Sequence, residues 1–356
     1  MKSKITKIMG AALALVLVFS LGAAFMPVNT PGGPSEAEAA DLSWSGVAFP
    51  TGTGSVLVGQ DENLGPVAVS PTVATDGTMF AVVNDLITTA RPLVYKSVNN
   101  GHTWTATTSN LGAAGDVGIA LEVSPNYAED STVFVVTQTS GGGATTGRVY
   151  RSVNGNISYG QLGVVTLAAA EVITSFDVSP NYDGTGVLAV GIADIAAGTV
   201  PAGATTSVQV WGLGAVLSWT LYSTVAYDVS DVIFSPNYAV DSTILAVTSL
   251  ATAQPILRSI VGGTWGTIAA TNVGATATTD IDLLGAAPAT DLLAASIALP
   301  QDYNGTVATL RRAYVSIVDE AGAGTATASN VFRITNTTAG TAIATAASIL
   351  LSNIDY

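Results

Sequence analysis

One short segment recurs along the chain at a near-constant interval, and that interval constrains the fold more than any other feature. Val67-Ala68-Val69-Ser70-Pro71 returns as Leu121-Glu122-Val123-Ser124-Pro125, Phe176-Asp177-Val178-Ser179-Pro180 and Val232-Ile233-Phe234-Ser235-Pro236, with a looser fifth copy at Ala298-Leu299-Pro300. The prolines stand at 71, 125, 180, 236 and 300, so the steps are 54, 55, 56 and 64 residues. A period of this size marks an array of supersecondary units, each of which buries its apolar face only against a neighbour.

Within each unit the pattern reads as strands. Asp76-Gly77-Thr78, Asp130-Ser131-Thr132, Asp183-Gly184-Thr185, Asp241-Ser242-Thr243 and Asn304-Gly305-Thr306 follow the anchors at much the same place. Asx side chains bond the local backbone and glycine accepts positive φ, so these are reversals between two strands. The second strand is nearly all apolar, as in Thr132-Val133-Phe134-Val135-Val136 and Thr243-Ile244-Leu245-Ala246-Val247. A strand covered on both faces reads that way. A third strand ends in Tyr95-Lys96-Ser97, Tyr150-Arg151-Ser152, Leu257-Arg258-Ser259 and Phe332-Arg333-Ile334.

The next segment is the most specific. Ser97-Val98-Asn99-Asn100-Gly101-His102-Thr103-Trp104 has the form S-x-D-x-G-x-T-W with Asn for Asp. Ser152-Val153-Asn154-Gly155-Asn156-Ile157-Ser158-Tyr159 repeats it with similar residues exchanged. Ser259-Ile260-Val261-Gly262-Gly263-Thr264-Trp265 is one residue shorter and carries Val261 at the Asx position. The copies near Trp219 and after Ile334 are degenerate. Ser, Asx, Gly (or Asn156) and the aromatic ring form a turn fastener, with the Asx oxygen accepting the turn's own amides and the ring expected to be buried.

On these residues the chain resembles the Asp-box (BNR-repeat) propellers, which include sialidases, sortilin-type receptors and photosystem-assembly propellers; the resemblance covers roughly residues 41–340. It implies an all-β fold, a β-propeller of about five four-stranded blades with the box turn between third and fourth strands. A β-solenoid is the alternative architecture, but its coils are shorter than this period. Asp41-Leu42-Ser43-Trp44 reads as a fourth strand without its first three, so residues 41–49 are expected to complete the last blade. Ile281 to Leu284 and Leu292 to Ile297 are expected to be an extra hairpin or the remnant of another blade.

The N-terminus reads as a leader. Lys2, Lys4 and Lys7 precede an apolar run from Ile8 to Met26, and small residues end at Ala37-Glu38-Ala39-Ala40. Basic, apolar and small-residue regions in that order form a secretory signal peptide over residues 1–40, leaving one domain over 41–356. A retained single-span anchor is the competing reading; no later segment is long enough to span. Removing Lys2, Lys4, Lys7, Glu36 and Glu38 leaves eight basic residues against twenty-three acidic ones. So acidic a chain repels phosphate backbones, which argues against a nucleic-acid partner. The chain has no cysteine, so stability rests on buried area and backbone pairing.

Little in the sequence assembles chemistry. The sialidase arginine motif F/Y-R-I-P has its nearest match in Phe332-Arg333-Ile334-Thr335, at the wrong end of the domain and in register with third-strand ends. His102 is the sole histidine and occupies a variable box position, without a G-x-S-x-G elbow or an H-E-x-x-H helix. Calcium would need more oxygens than the Asx turns offer. Glu122 and Asp177 stand two residues before the anchor serine and Asp231 precedes the fourth anchor. These three are candidate channel carboxylates for sugar or cation binding, or solvated strand ends; a carboxylate pair is also what a glycosidase requires. Sequons occur at Asn156, Asn304 and Asn336. The expectation is a secreted or cell-surface scaffold without catalytic residues, metal or cofactor, acting on protein or glycan partners, with a surface-layer component as one form of it. A sialidase-like hydrolase or lectin is the alternative. Oligomeric state is not legible.

Overall fold

The computed structural model describes residues 62–85, 91–107, 111–139, 146–168, 170–184, 186–194, 208–212, 218–221, 227–250, 253–261, 264–265, 281–282, 291–320, 330–336 and 338–343. The leader and residues 41–49 lie outside the described residues, as do Gly262 and Gly263.

Five antiparallel sheets follow one another along the described chain, each built from consecutive strands. The first holds β1 (Glu62–Val69), β2 (Thr78–Asp85), β3 (Leu93–Val98) and β4 (Thr105–Ala106). The second holds β5 (Asp116–Val123), β6 (Val133–Thr139), β7 (Gly147–Ser152) and β8 (Gly160–Val165). The third holds β9 (Glu171–Val178), β10 (Leu188–Asp194), β11 (Val208–Trp211) and β12 (Thr220–Leu221). The fourth holds β13 (Asp228–Phe234), β14 (Thr243–Leu250), β15 (Ala253–Val261) and β16 (Thr264–Trp265), with β17 (Ile281–Asp282) also pairing β15. The fifth holds β18 (Asp291–Ala298), β19 (Arg312–Glu320), β20 (Asn330–Thr335) and β21 (Thr338–Ala342).

The apolar second strands are explained by their position between two interfaces. In β6, Val133 and Val135 pack with Phe80, Val82 and Leu121, while Phe134 and Val136 pack with Phe176, Val178, Leu188 and Val190. Alternate side chains of one strand thus serve two cores, each burial contributing about 1.5–3 kcal/mol. The first strands neighbour one another in series, β1 with β5, β5 with β9, β9 with β13 and β13 with β18.

Each of three anchor reversals is a single helical turn: α1 (Val73–Asp76), α2 (Tyr127–Asp130) and α3 (Tyr238–Asp241). The anchor serine donates to the aspartate that ends the turn, Ser70 to Asp76 at 2.9 Å, Ser124 to Asp130 at 2.6 Å and Ser235 to Asp241 at 2.6 Å. The same carboxylates accept the N–H of Thr78, Thr132 and Thr243, which starts the second strand. The intervening Gly77, Ser131 and Ser242 take left-handed φ of 62°, 50° and 49°. For Ser131 and Ser242 that conformation carries a steric cost, which the aspartate's bonds on either side offset.

Three expectations are corrected. Tyr303 N–H donates to Pro300 O as Tyr127 N–H donates to Ser124 O and Tyr238 N–H to Ser235 O. Pro300 therefore occupies the serine position, one residue out of the register that aligns the prolines. The two apolar runs form neither an extra hairpin nor a further sheet: Ile281–Asp282 extends the outer edge of β15, and Leu292 to Ile297 lies within β18. The fourth-strand place in the last sheet, which the sequence reading gives to residues 41–49, is occupied by β21 after a tight turn at Asn336, φ 54°.

Candidate functional site

The two full turn motifs are closed by their own side chains. Ser97 Oγ donates to Asn99 Oδ1 at 2.9 Å and accepts Gly101 N–H at 2.9 Å. Asn99 Oδ1 also accepts Thr103 N–H at 2.9 Å, its Nδ2 donates to Thr103 Oγ1, and Trp104 Nε1 donates to Gly101 O. Ser152, Asn154 and Ser158 repeat the network: Ser152 Oγ to Asn154 Oδ1 is 2.8 Å, and Asn156 N–H and Ser158 N–H reach Ser152 Oγ and Asn154 Oδ1. Gly101 and Asn156 sit at φ 80° and 85°. Asn156 is tied down by Tyr159 OH and Val94 O. In the third copy Ser259 is buried and its hydroxyl has no partner, which follows from Val261 replacing the oxygen that would receive it. Thr264 and Trp265 form β16.

The aromatic ring departs from expectation. Trp104 is half-buried, packed beside Tyr95 against Ala81 and Val83, and is not a core residue. His102 is exposed. Arg333 is an exposed third-strand residue of β20. All three sequon asparagines use their side-chain oxygen internally: Asn156 with Tyr159, Asn304 with Thr306, Asn336 with Arg311.

Glu122, Asp177 and Asp231 lie on β5, β9 and β13, the first strands of three successive sheets. The fold brings their charges within mutual reach. Each residue is half-buried over its whole surface, whereas its carboxyl group is enclosed by protein, and the enclosure governs titration. Burial first, then the charges of Asp177 and Asp231, pushes the Glu122 carboxyl up to about 8. Burial pushes Asp177 up to about 7, opposed by the N–H groups of Phe234 and Val178 and reinforced by Asp231. Asp231 is likewise pushed up to about 7 by burial, opposed by the N–H groups of Ile297 and Val232.

The aspartates are also ties between sheets. A first strand pairs on one edge alone, so its other edge presents backbone groups that need partners. Asp177 Oδ2 accepts Phe234 N–H of the next sheet at 2.6 Å, and Asp231 Oδ2 accepts Ile297 N–H of the one after at 2.7 Å. Earlier junctions use neutral amides. Asn84 exchanges two bonds with Gly118, and Gln138 Oε1 accepts Ile173 N–H at 2.7 Å. These ties went unnoticed in sequence because their partners lie tens of residues apart. So did the pair Asp116–Arg148 at 2.6 Å, in which the fully buried carboxylate also accepts Thr139 Oγ1 and Ala113 N–H. Among the described residues no group of three His, Cys, Asp or Glu is arranged to hold a metal ion.

Among solved structures the chain is similar to the GH74 xyloglucanase of Xanthomonas campestris, at 15% identity and a TM-score of 0.51, covering 78% of this chain and 38% of that one. The fold is that of a β-propeller. Weaker likenesses include the NanB sialidase of Streptococcus pneumoniae (11% identity, TM-score 0.33, 49% of this chain and 26% of that one) and YCF48 bound to D1 peptide (10%, 0.35, 81% and 84%). The chain spans well under half the length of the xyloglucanase. No protein-family model matches the sequence, and no curated protein matches it.

Proposed function

We propose that the chain is an exported, non-enzymatic β-propeller of five blades with Asp-box turns, serving as an interaction scaffold at the cell surface; a surface-layer component is the form that fits its acidic composition. One observation carries this reading: Asp177 and Asp231, two of the three carboxylates on the first strands, each spend both oxygens on backbone N–H groups. A carboxylate saturated by main-chain donors braces the fold and has little capacity left to move a proton to or from a substrate. The leader motif and the isolation of His102 in an exposed turn support the same reading.

A second reading has its own observation. Glu122 is enclosed, accepts no hydrogen bond, and retains its proton near neutral pH beside two aspartates. A carboxylic acid held in that state is the setting of a general acid in glycoside hydrolysis. Incubating the purified protein with sialosides and a plant and microbial glycan panel separates the two. The scaffold reading expects neither turnover nor glycan affinity that changes in E122Q; turnover abolished by E122Q would overturn it in favour of the hydrolase.

A further inference from the structure

The register of the anchor serines places Leu64, Val67 and Val69 of β1 level with Ile173, Phe176 and Val178 of β9 and with Val229, Val232 and Phe234 of β13. In β9 the three are exposed by 4%, 6% and 8%, and in β13 by 0%, 2% and 2%. They are covered by the preceding sheet, through Phe134, Val136 and Val149 for β9 and through Ala189, Val208 and Val210 for β13. In β1 the same positions are 48%, 47% and 50% exposed. The first sheet thus presents, uncovered, an aliphatic face of the type that each later junction buries.

The last sheet is chemically mismatched to that face. At two internal junctions the cation ending a third strand reaches the tyrosine of the next helical turn or its counterpart, Lys96 to Tyr127 OH at 3.0 Å and Arg151 to Tyr182 OH at 3.1 Å. Arg333 is the corresponding cation of the last sheet, and the first sheet has Val73 at the tyrosine position. Packing the last sheet against the first, within one chain or head-to-tail between two, sets an exposed guanidinium on a valine with no hydroxyl to receive it, a costly desolvation. Among the described surfaces of the chain, the aliphatic match to Leu64, Val67 and Val69 is the same face of another copy.

We propose that two copies associate about a twofold axis through the β1 faces, Leu64, Val67 and Val69 of one against those of the other. An isologous contact of this kind closes on itself and needs no second surface. It goes beyond the scaffold reading and does not depend on it. With a net charge of −14 on each chain, the two copies repel at long range, so added salt screens the repulsion and strengthens an apolar contact.

Sedimentation equilibrium of the purified chain tests this, with V67D and, because the chain has no cysteine, V67C. The expected results are a concentration-dependent dimer that tightens with salt, and at least a tenfold weaker dimer in V67D with an unchanged melting temperature. A short bis-maleimide spanning the roughly 10 Å between packed sheets should join V67C chains into dimers. It should not join V98C chains, whose replaced valine is 62% exposed on a turn. A monomer at every concentration, or a dimer indifferent to V67D, would overturn the proposal. So would a monomer whose melting temperature falls in V67D, which would mean that the chain covers its own β1 face. A dimer that salt weakens would point to head-to-tail contact and overturn it equally.

Discussion

Two groups of acidic side chains on neighbouring first strands meet opposite electrostatic settings. Asp116, at the start of β5, is buried against the Arg148 guanidinium at 2.6 Å and is ringed by hydroxyl and amide donors. Glu122, six residues further along the same strand, faces Asp177 and Asp231 with no cation among the groups that act on it. Enclosure costs both regions hydration. A cation restores what Asp116 loses, whereas backbone amides restore only part of it for the two aspartates and nothing does so for Glu122. Burial alone therefore does not decide what an interior carboxylate contributes; the partner it finds does.

The largest expected effect is collective and tests the unpaired group. The folded-state values of Glu122, Asp177 and Asp231 lie near 8, 7 and 7, above their ordinary values of 4.5, 3.8 and 3.8. Between about pH 4 and pH 8 the native state therefore binds more protons than the unfolded one, and stability falls as pH rises through that window. The contribution is fully present below about pH 4 and has gone above about pH 8. Thermal melts in matched buffers should show the protein most stable in the acid part of this window, with the slope reduced in a triple variant E122Q/D177N/D231N. A melting temperature that climbs from pH 4 to pH 8 would break the comparison.

Asp116→Ala comes next. It strands the largely buried Arg148 guanidinium and should cost about 3–5 kcal/mol by denaturant unfolding, with no reduction of the pH slope. Asp177→Asn is smaller: it removes one acceptor from a backbone N–H and should cost about 1–3 kcal/mol in acid. The gap from the parent should narrow above pH 8, where the variant is relieved of an enclosed charge. Glu122→Gln is the smallest in acid, since the carboxyl accepts no hydrogen bond there. It should match the parent at pH 5 and exceed it at pH 9 in the same melts, and a loss of stability at both would show that Glu122 has a partner after all.

What the chain shows on inspection is everything its neighbours along the sequence decide. The serine anchors, the helical turns closed by Asp76, Asp130 and Asp241, and the Ser–Asx networks of 97–104 and 152–159 depend on bonds spanning two to six residues. Local bonds leave a motif at fixed spacing, and alternating or continuous apolar runs mark strands by the pleat alone. Tertiary structure decided the rest. Asp177 reaches Phe234 across 57 positions and Asp231 reaches Ile297 across 66, distances at which no spacing rule operates. The half-burial of Trp104, the shift of Pro300 into the serine place and the replacement of residues 41–49 by β21 at the last edge depend on how sheets meet, not on the turns themselves. Leu64, Val67 and Val69 make the division plain. Their sequence is that of buried positions, and only packing, by leaving no described sheet over them, exposes them to water.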